Sequence, residues 1–267
     1  MSRLNEDKIS NNFAIITNNL SKRFGKNFAV RDLNFKIPYG KIYGLLGPNG
    51  AGKTTTIRLL NAIIRPSSGD ATILGYGLEK EKTLIKKNCG FLPETPGLYN
   101  KLTANEFLEF IGSLYNLSEH IVNKRIEELL DLFDLTQRKH DLLQEYSRGM
   151  KQKISLCAAL LHNPKIIFLD EPTSNLDPAT ANMVKTLITN LIHNADKTFF
   201  ISTHLTNIAE NLCDIIGIID KGVLKIEGSP REIIESVNVK NLEEAYIKIM
   251  GIDNTNKLLN WDKKLEF

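Results

Sequence analysis

The run Gly47-Pro48-Asn49-Gly50-Ala51-Gly52-Lys53-Thr54 constrains this chain more than any other segment. It stands between a short apolar stretch, Ile42 to Leu46, and a helical pattern, Thr56 to Ile64, that Arg65-Pro66 closes. Strand, G-x4-G-K-T loop and helix in that order make a phosphate-binding loop. Phosphate needs backbone N–H donors at close range, and side chains at Gly47, Gly50 or Gly52 would obstruct them. The helix N-terminus that follows adds a positive dipole end. Lys53 is then placed to neutralise β- and γ-phosphate charge, and the Thr54 hydroxyl to ligate Mg²⁺.

The rest of the chain reads as a frame for that loop. Leu33, Phe35 and Ile37 alternate with polar residues ahead of a Pro38-Tyr39-Gly40 turn, and Asp70 to Gly75 reads as another short strand, so a small sheet is expected first. From about 95 to 160 the period becomes helical. Thr103 with Glu106 makes a capping box before Phe107, Phe110, Ile111 and Leu114, and a second helix carries Val122, Ile126, Leu129, Leu130 and Phe133. Strand–helix alternation then resumes: Ile166 to Leu169, a helix capped by Asp177-Pro178 with Val184, Leu187, Ile188, Leu191 and Ile192 on one face, and strands at Thr198 to Ser202, Ile215 to Ile219 and Val223 to Ile226. This order predicts a largely parallel α/β sheet with a helical subdomain inserted into it. Ser229 to Gly251, with Leu242, Ala245, Tyr246 and Ile249 at helical spacing, reads as an accessory helix.

Composition narrows the classes. With 267 residues, 42% hydrophobic and 24% charged, the chain can bury a large core, and disorder is excluded. A net charge of +3 is too small to mark a dedicated nucleic-acid binder. Cys89, Cys157 and Cys213 are odd in number and far apart, and are read as reduced core residues. His120, His140, His162 and His193 have no partner at metal spacing and are read as surface or capping residues. Lys86-Lys87 and Lys263-Lys264 read as solvated faces, and Trp261 as a residue that folds back onto the domain. The leader MSRLNEDKISNN is unlike a signal peptide and no run reaches 18 apolar residues, so a location inside the cell is expected.

A second chemical signal is Ile166-Ile167-Phe168-Leu169-Asp170-Glu171, an apolar strand that delivers two acids at its C-terminal end, beside the phosphate loop in such sheets. Asp170 is suited to hold Mg²⁺, leaving Glu171 to polarise an attacking water.

With these two motifs in order, the chain resembles the nucleotide-binding subunit of an ATP-binding-cassette (ABC) transporter, over roughly Ala14 to Ile233. Phe24 stands where the family stacks an aromatic on adenine, Ser174-Asn175-Leu176-Asp177 matches its D-loop, and His204 its switch histidine. The signature loop, usually Leu-Ser-Gly-Gly-Gln, is Tyr146-Ser147-Arg148-Gly149-Met150, and Glu94 stands where glutamine is common. Both variants look like those of bacterial drug, peptide and ion exporters.

The resemblance implies a phosphate-loop NTPase (RecA-like) core with a small antiparallel β subdomain and a helical insertion, as an ATPase domain over 13–233 followed by a short helical extension over 234–267. It implies ATP and Mg²⁺ as ligands. Contact with nucleotide would come from Phe24, from Gly47, Pro48, Asn49, Gly50, Ala51, Gly52, Lys53, Thr54 and Thr55, and from Glu94, Ser147, Gly149 and Asp177. Thr54, Glu94 and Asp170 would hold the metal, and Glu171, His204 and Lys53 would serve catalysis. Ser147 also reads as the N-cap of a helix through Leu161, facing ATP held by the opposite subunit of a head-to-tail dimer, with two copies of this chain favoured.

The implied partner is a separate integral membrane permease, whose own short cytoplasmic helix would be received by the surface around Phe91 to Tyr99 and the helices after it. The location would be cytoplasmic, on the inner face of the cell membrane, and no nucleic acid is expected. The rival class is a soluble ABC ATPase acting on ribosomes or nucleic acid. The chain holds one cassette and no sustained heptads between the two motifs. A guanine-reading Asn-Lys-x-Asp is also missing from the sequence.

Overall fold

The computed structural model describes residues 12–252 apart from 175 and 196, without the side chains at 193–195. Expectations for His193, Asn175, Trp261, Lys263 and Lys264 therefore lie outside the described residues. The chain opens with strands β1 (Phe13–Phe24), β2 (Asn27–Leu33) and β3 (Lys36–Pro38), then β4 (Ile42–Leu46) and helix α1 (Lys53–Leu60). Strands β5 (Ser68–Ile73) and β6 (Tyr76–Gly77) complete an antiparallel sheet ordered β2-β1-β5-β6, with β3 also paired to β1. Helix α2 (Lys82–Asn88) leads to β7 (Cys89–Leu92), and the inserted helices are α3 (Ala104–Leu114), α4 (Glu119–Leu132) and α5 (Arg148–Leu160). The chain then runs through β8 (Ile166–Asp170), α6 (Pro178–Ala195), β9 (Thr198–Thr203), α7 (Thr206–Leu212), β10 (Ile215–Asp220), β11 (Val223–Gly228), α8 (Pro230–Ser236) and α9 (Leu242–Met250).

The central sheet has the order β11-β10-β4-β9-β8-β7, and only the β10–β11 hairpin in it is antiparallel. Strands buried on both faces need apolar residues at every position, which is why β4 and β8 read as continuous runs. Alternate side chains still part company. Leu46, Ile167, Leu169, Phe199 and Ile201 pack with the inserted helices, while Tyr43, Leu45, Phe168 and Phe200 pack with the antiparallel sheet and α1. On that second face Phe35, Tyr43 and Phe200 form a three-ring cluster, with Tyr43 stacked on each phenylalanine at 5.2 Å between centroids and the two phenylalanines 6.1 Å apart. All three cysteines are free and buried, as expected of core thiols.

Four expectations are corrected. Helix α1 begins at Lys53, because Gly52 takes a left-handed φ of 108° and turns the loop directly into the helix. It stops at Leu60 rather than Ile64: Ala62 is left-handed (φ 52°), and the N–H groups of Ile63 and Ile64 both return to the Arg58 carbonyl. The Leu33, Phe35, Ile37 alternation marks one buried face, but two strands carry it.

The C-terminal stretch is two helices, since Ser229 and Glu232 form a capping box with Pro230 in the first turn, and Asn241 caps a separate α9. A boundary at 233/234 thus falls inside α8, and Leu242 and Ala245 are fully buried in the same core as the inserted helices.

His162 is the fourth correction, for it is no surface residue. Its ring lies flat on Tyr115, centroids 3.8 Å apart, and its Nε2 is 3.1 Å from the Cys89 carbonyl oxygen. This joins the ends of α3 and α5 to the start of β7. Burial lowers its pKa to about 4, against the pull of the Cys89 carbonyl and with the charges of Arg125 and Lys197 adding to the fall. The unfolded ring titrates near 6.5, so the unfolded state binds the extra proton between the two values. Stability is full above pH 6.5 and falls as pH drops toward 4. Between about pH 7.5 and 5 this one group is expected to remove roughly 2 kcal/mol. His162→Phe, which keeps a ring on Tyr115, should abolish that share of the pH dependence in urea unfolding.

Candidate active site

Parallel pairing brings the C-terminal ends of β4, β9 and β8 side by side, with Leu46 level with Thr203 and Asp170 level with Ser202. The loop after β4 is pinned at once, since the Gly47 N–H donates to the Thr203 carbonyl at 3.2 Å. Gly47 and Gly52 are required by close approach, and Gly50 by its left-handed φ of 80°. A Cβ at Gly47 would lie 2.3 Å from the Ile219 carbonyl oxygen, and one at Gly52 would lie 2.4 Å from that of Ala29. The first intrahelical bond of α1 is Thr56 N–H to the Gly52 carbonyl, at 2.9 Å. The N–H groups of Lys53, Thr54 and Thr55 therefore have no protein acceptor among the described residues, which is the ordinary state of a helix start. They open onto a cavity of about 240 Å³, lined by Asn49, Gly50, Gly52 and the first turn of α1 and flanked by Ala29, Glu94 and Glu171.

The Lys53 side chain folds back over the loop and is buried. Its Nζ donates to the carbonyl oxygens of Gly47 (2.9 Å) and Pro48 (3.2 Å) and forms an ion pair with Glu171 Oε1 at 3.2 Å. That contact lies outside hydrogen-bond alignment, so Oε1 keeps accepting capacity. Glu171 itself has a left-handed φ of 50°, a sparsely populated conformation for a side chain of this kind. This turn directly after β8 aims the carboxylate back toward α1. Its other oxygen, Oε2, accepts from Ser174 Oγ at 3.0 Å and lies 3.0 Å from His204 Nδ1. Asp170 is buried at the strand end, where its Oδ1 accepts from Ser202 Oγ at 2.5 Å. The same hydroxyl accepts the Glu171 N–H at 3.1 Å.

The sequence motifs thus fall into three places. Residues Gly47 to Thr55, Glu94, Asp170, Glu171 and His204 gather at the edge of the central sheet. Ser147, Gly149 and Asp177 form a second cluster, in which a Cβ on Gly149 would lie 3.9 Å from Asp177 Oδ2. Ser147 caps α5 as expected, its Oγ accepting from the Met150 N–H at 3.3 Å. Asp177 caps α6: its Oδ1 accepts from the N–H groups of Ala179 and Thr180 and its Oδ2 from Thr180 Oγ1, contacts that hold its pKa below the usual carboxylate value.

Phe24 stands apart, 55% exposed at the tip of the β1–β2 hairpin with Lys22 Nζ 5.2 Å from its ring centre, and it does not line the cavity. Ala29 does, and nothing in the sequence marks it. Ser202 was legible in principle, because hydroxyl residues follow the apolar run Phe199 to Ile201 there.

Comparison with known proteins agrees with this geometry. The sequence pattern of the family described as "ABC transporter" matches residues 30–174. The linearmycin resistance ATP-binding protein LnrL of Bacillus subtilis is 35% identical over 237 residues, covering 86% of this chain and 76% of its own. The bacitracin transport ATP-binding protein BcrA of Bacillus licheniformis is 39% identical over 229 residues, covering 86% and 74%. This chain belongs to the ABC transporter family.

A solved ATP-binding subunit of an ABC transporter superposes with a TM-score of 0.82 at 30% identity, over 89% of this chain and 99% of its own. A second, a dimeric ATP-binding cassette in a post-hydrolysis state bound to ADP and phosphate, gives 0.74 at 26% identity, over 80% and 98%. The fold is therefore that of the ATP-binding, ATP-hydrolysing subunit of an ABC transporter. Among the described residues no helix is long and apolar enough to cross a membrane.

Removing the Ser202 hydroxyl takes a buried partner from the Asp170 carboxylate and one of two acceptors from the Glu171 N–H. Ser202→Ala is expected to cost about 1–3 kcal/mol in urea unfolding and to lower ATP turnover through the displaced Asp170 carboxylate.

Proposed function

We propose that this ABC ATPase binds MgATP in the cavity over α1 and, paired with a second copy, drives export through a separate membrane-spanning permease. The observation that carries the catalytic reading is the placement of Glu171, held between Lys53 and His204 at the mouth of a phosphate cradle. The unpaired N–H groups at the start of α1 suit phosphate oxygens, with Lys53 as the adjacent cation. Thr54, Glu94 and Asp170 are hard oxygen donors of the kind Mg²⁺ takes, and the ion would offset charge on the β- and γ-phosphates.

Lys53 has two anionic claimants. A triphosphate carries more charge than one carboxylate, so it draws Nζ away from Glu171 and leaves Oε1 to accept a proton from water as general base. Ser174 and His204 keep the carboxylate oriented through Oε2. The cluster of Ser147, Gly149 and Asp177 would face the nucleotide of the opposite copy, with Phe24 reaching the adenine from the hairpin tip.

The ATPase unit is taken to begin at residue 13 and to end near residue 233, within α8, with α9 packed onto it as an extension, and its place is the inner face of the cell membrane. Relatives named for linearmycin resistance and bacitracin transport favour an exported antibiotic-like compound as the substrate.

Glu171→Gln is expected to keep ATP affinity, to cut turnover by about 10²–10⁴, and to accumulate an ATP-bound dimer. Wild-type turnover in that variant would remove the base from this position. Lys53→Ala should instead weaken nucleotide binding itself, read by titration calorimetry. A tagged Glu171→Gln protein captured from detergent-solubilised cells with ATP and Mg²⁺ should bring down an integral membrane protein in near-equal amount. Ribosomes or DNA in its place would overturn the transport reading.

A further inference from the structure

Two charged residues at the candidate site are left without partners. Glu94 lies on the wall of the cavity and is exposed, and Arg148 is the first residue of α5, also exposed. Among the described residues neither makes an ion pair or a side-chain hydrogen bond. They are also points at which the sequence leaves the commonest family pattern, one by gaining an anion and the other by gaining a cation.

The cavity needs that cation. Its lining carries Glu94 and Glu171 against the single positive charge of Lys53, with Asp170 directly behind. Even with Mg²⁺ held at Glu94, bound MgATP adds net negative charge to this wall, so the carboxylates and phosphates together still outweigh the cations. No second cation lines this wall among the described residues.

The direction of Arg148 follows from its neighbour. Gly149 turns its bare face to α6, where an added Cβ would meet Thr180 and Asp177 at 3.8 and 3.9 Å. Successive helical residues point about 100° apart, so Arg148 is rotated off α6 and outward. The head-to-tail pairing proposed above sets this start of α5 against the other copy's nucleotide cavity.

We infer that Arg148 of each copy forms an ion pair with Glu94 of the other across the nucleotide-bound dimer. The inference rests on the sandwich reading and adds a positioning contact to it. A carboxylate has two oxygens, so Glu94 can face the metal with one and the guanidinium with the other. The pair forms only when two copies close, which ties closure to the neutralisation of the site.

The test is a double-mutant cycle in the Glu171→Gln protein at saturating ATP and Mg²⁺, comparing Arg148→Ala, Glu94→Gln and both together. The readout is the dimer dissociation constant from sedimentation. Both positions are on the surface, and thermal midpoints confirm that the variants fold. Arg148→Ala alone is expected to weaken the dimer roughly tenfold, and to change it less than about twofold once Glu94 is already Gln. An equal loss in both backgrounds would mean that Arg148 acts on the nucleotide phosphate, and would overturn the pair. So would no loss in either. If the Glu171→Gln parent forms no ATP-dependent dimer, the sandwich reading fails and the pair falls with it, a result distinct from a dimer that forms without coupling.

Discussion

Because β9 lies between β4 and β8, one strand supplies support to both chemical motifs of the site. Its Thr203 carbonyl holds Gly47, the first residue of the phosphate loop, and its Ser202 hydroxyl holds both acids at the end of β8. A register shift of one residue in β9 would exchange these groups for the apolar faces on either side. The two hydrophobic cores make such a slip costly, since Phe199 and Ile201 belong to one and Phe200 to the other. Precision at the site is thus enforced by packing in layers that never touch the ligand.

Within this frame the electrostatics are strained by design of the chain. Acids are concentrated at one sheet edge, and a left-handed Glu171 is held by hydrogen bonds at its N–H and at Oε2 and by the Lys53 ion pair at Oε1. What offsets them is a single buried lysine and the partial charges of backbone N–H groups. Such a site suits a polyphosphate, which is long enough to meet the lysine and the N–H groups together.

The phosphate loop and the Asp170-Glu171 strand were plain in the sequence because each is local: a spacing of glycines, and an apolar run ending in acids. The capping box at Thr103 and the cap at Ser147 belong to the same class, being contacts between residues three apart, and the like box at Ser229 went unread although it too is local. What the sequence concealed is long-range. Ala29 reaches the cavity only because β2 folds over α1, and His162 looked like a surface residue until the ends of α3, α5 and β7 met around it. The limits of α1 were missed for another reason, since they depend on the left-handed residues Gly52 and Ala62 and not on the apolar period. The parallel order of the central sheet followed from strand–helix alternation, whereas the central place of β9 had no local mark.

Helix α5 descends from the site edge to Cys89, and a short turn from Leu161 to Lys165 returns the chain up β8 to Glu171. One hairpin therefore carries the serine loop at its start and the base at its end. In the proposed head-to-tail pair these two ends serve different nucleotides, so each chain completes its neighbour's site while owning only part of its own. Genetically, this makes the defects non-equivalent. A copy lacking the base paired with a copy lacking the serine loop would place both lesions in one site and leave the other whole. Two inactive alleles would then restore one another in the same cell, whereas two alleles damaged at the same end would not.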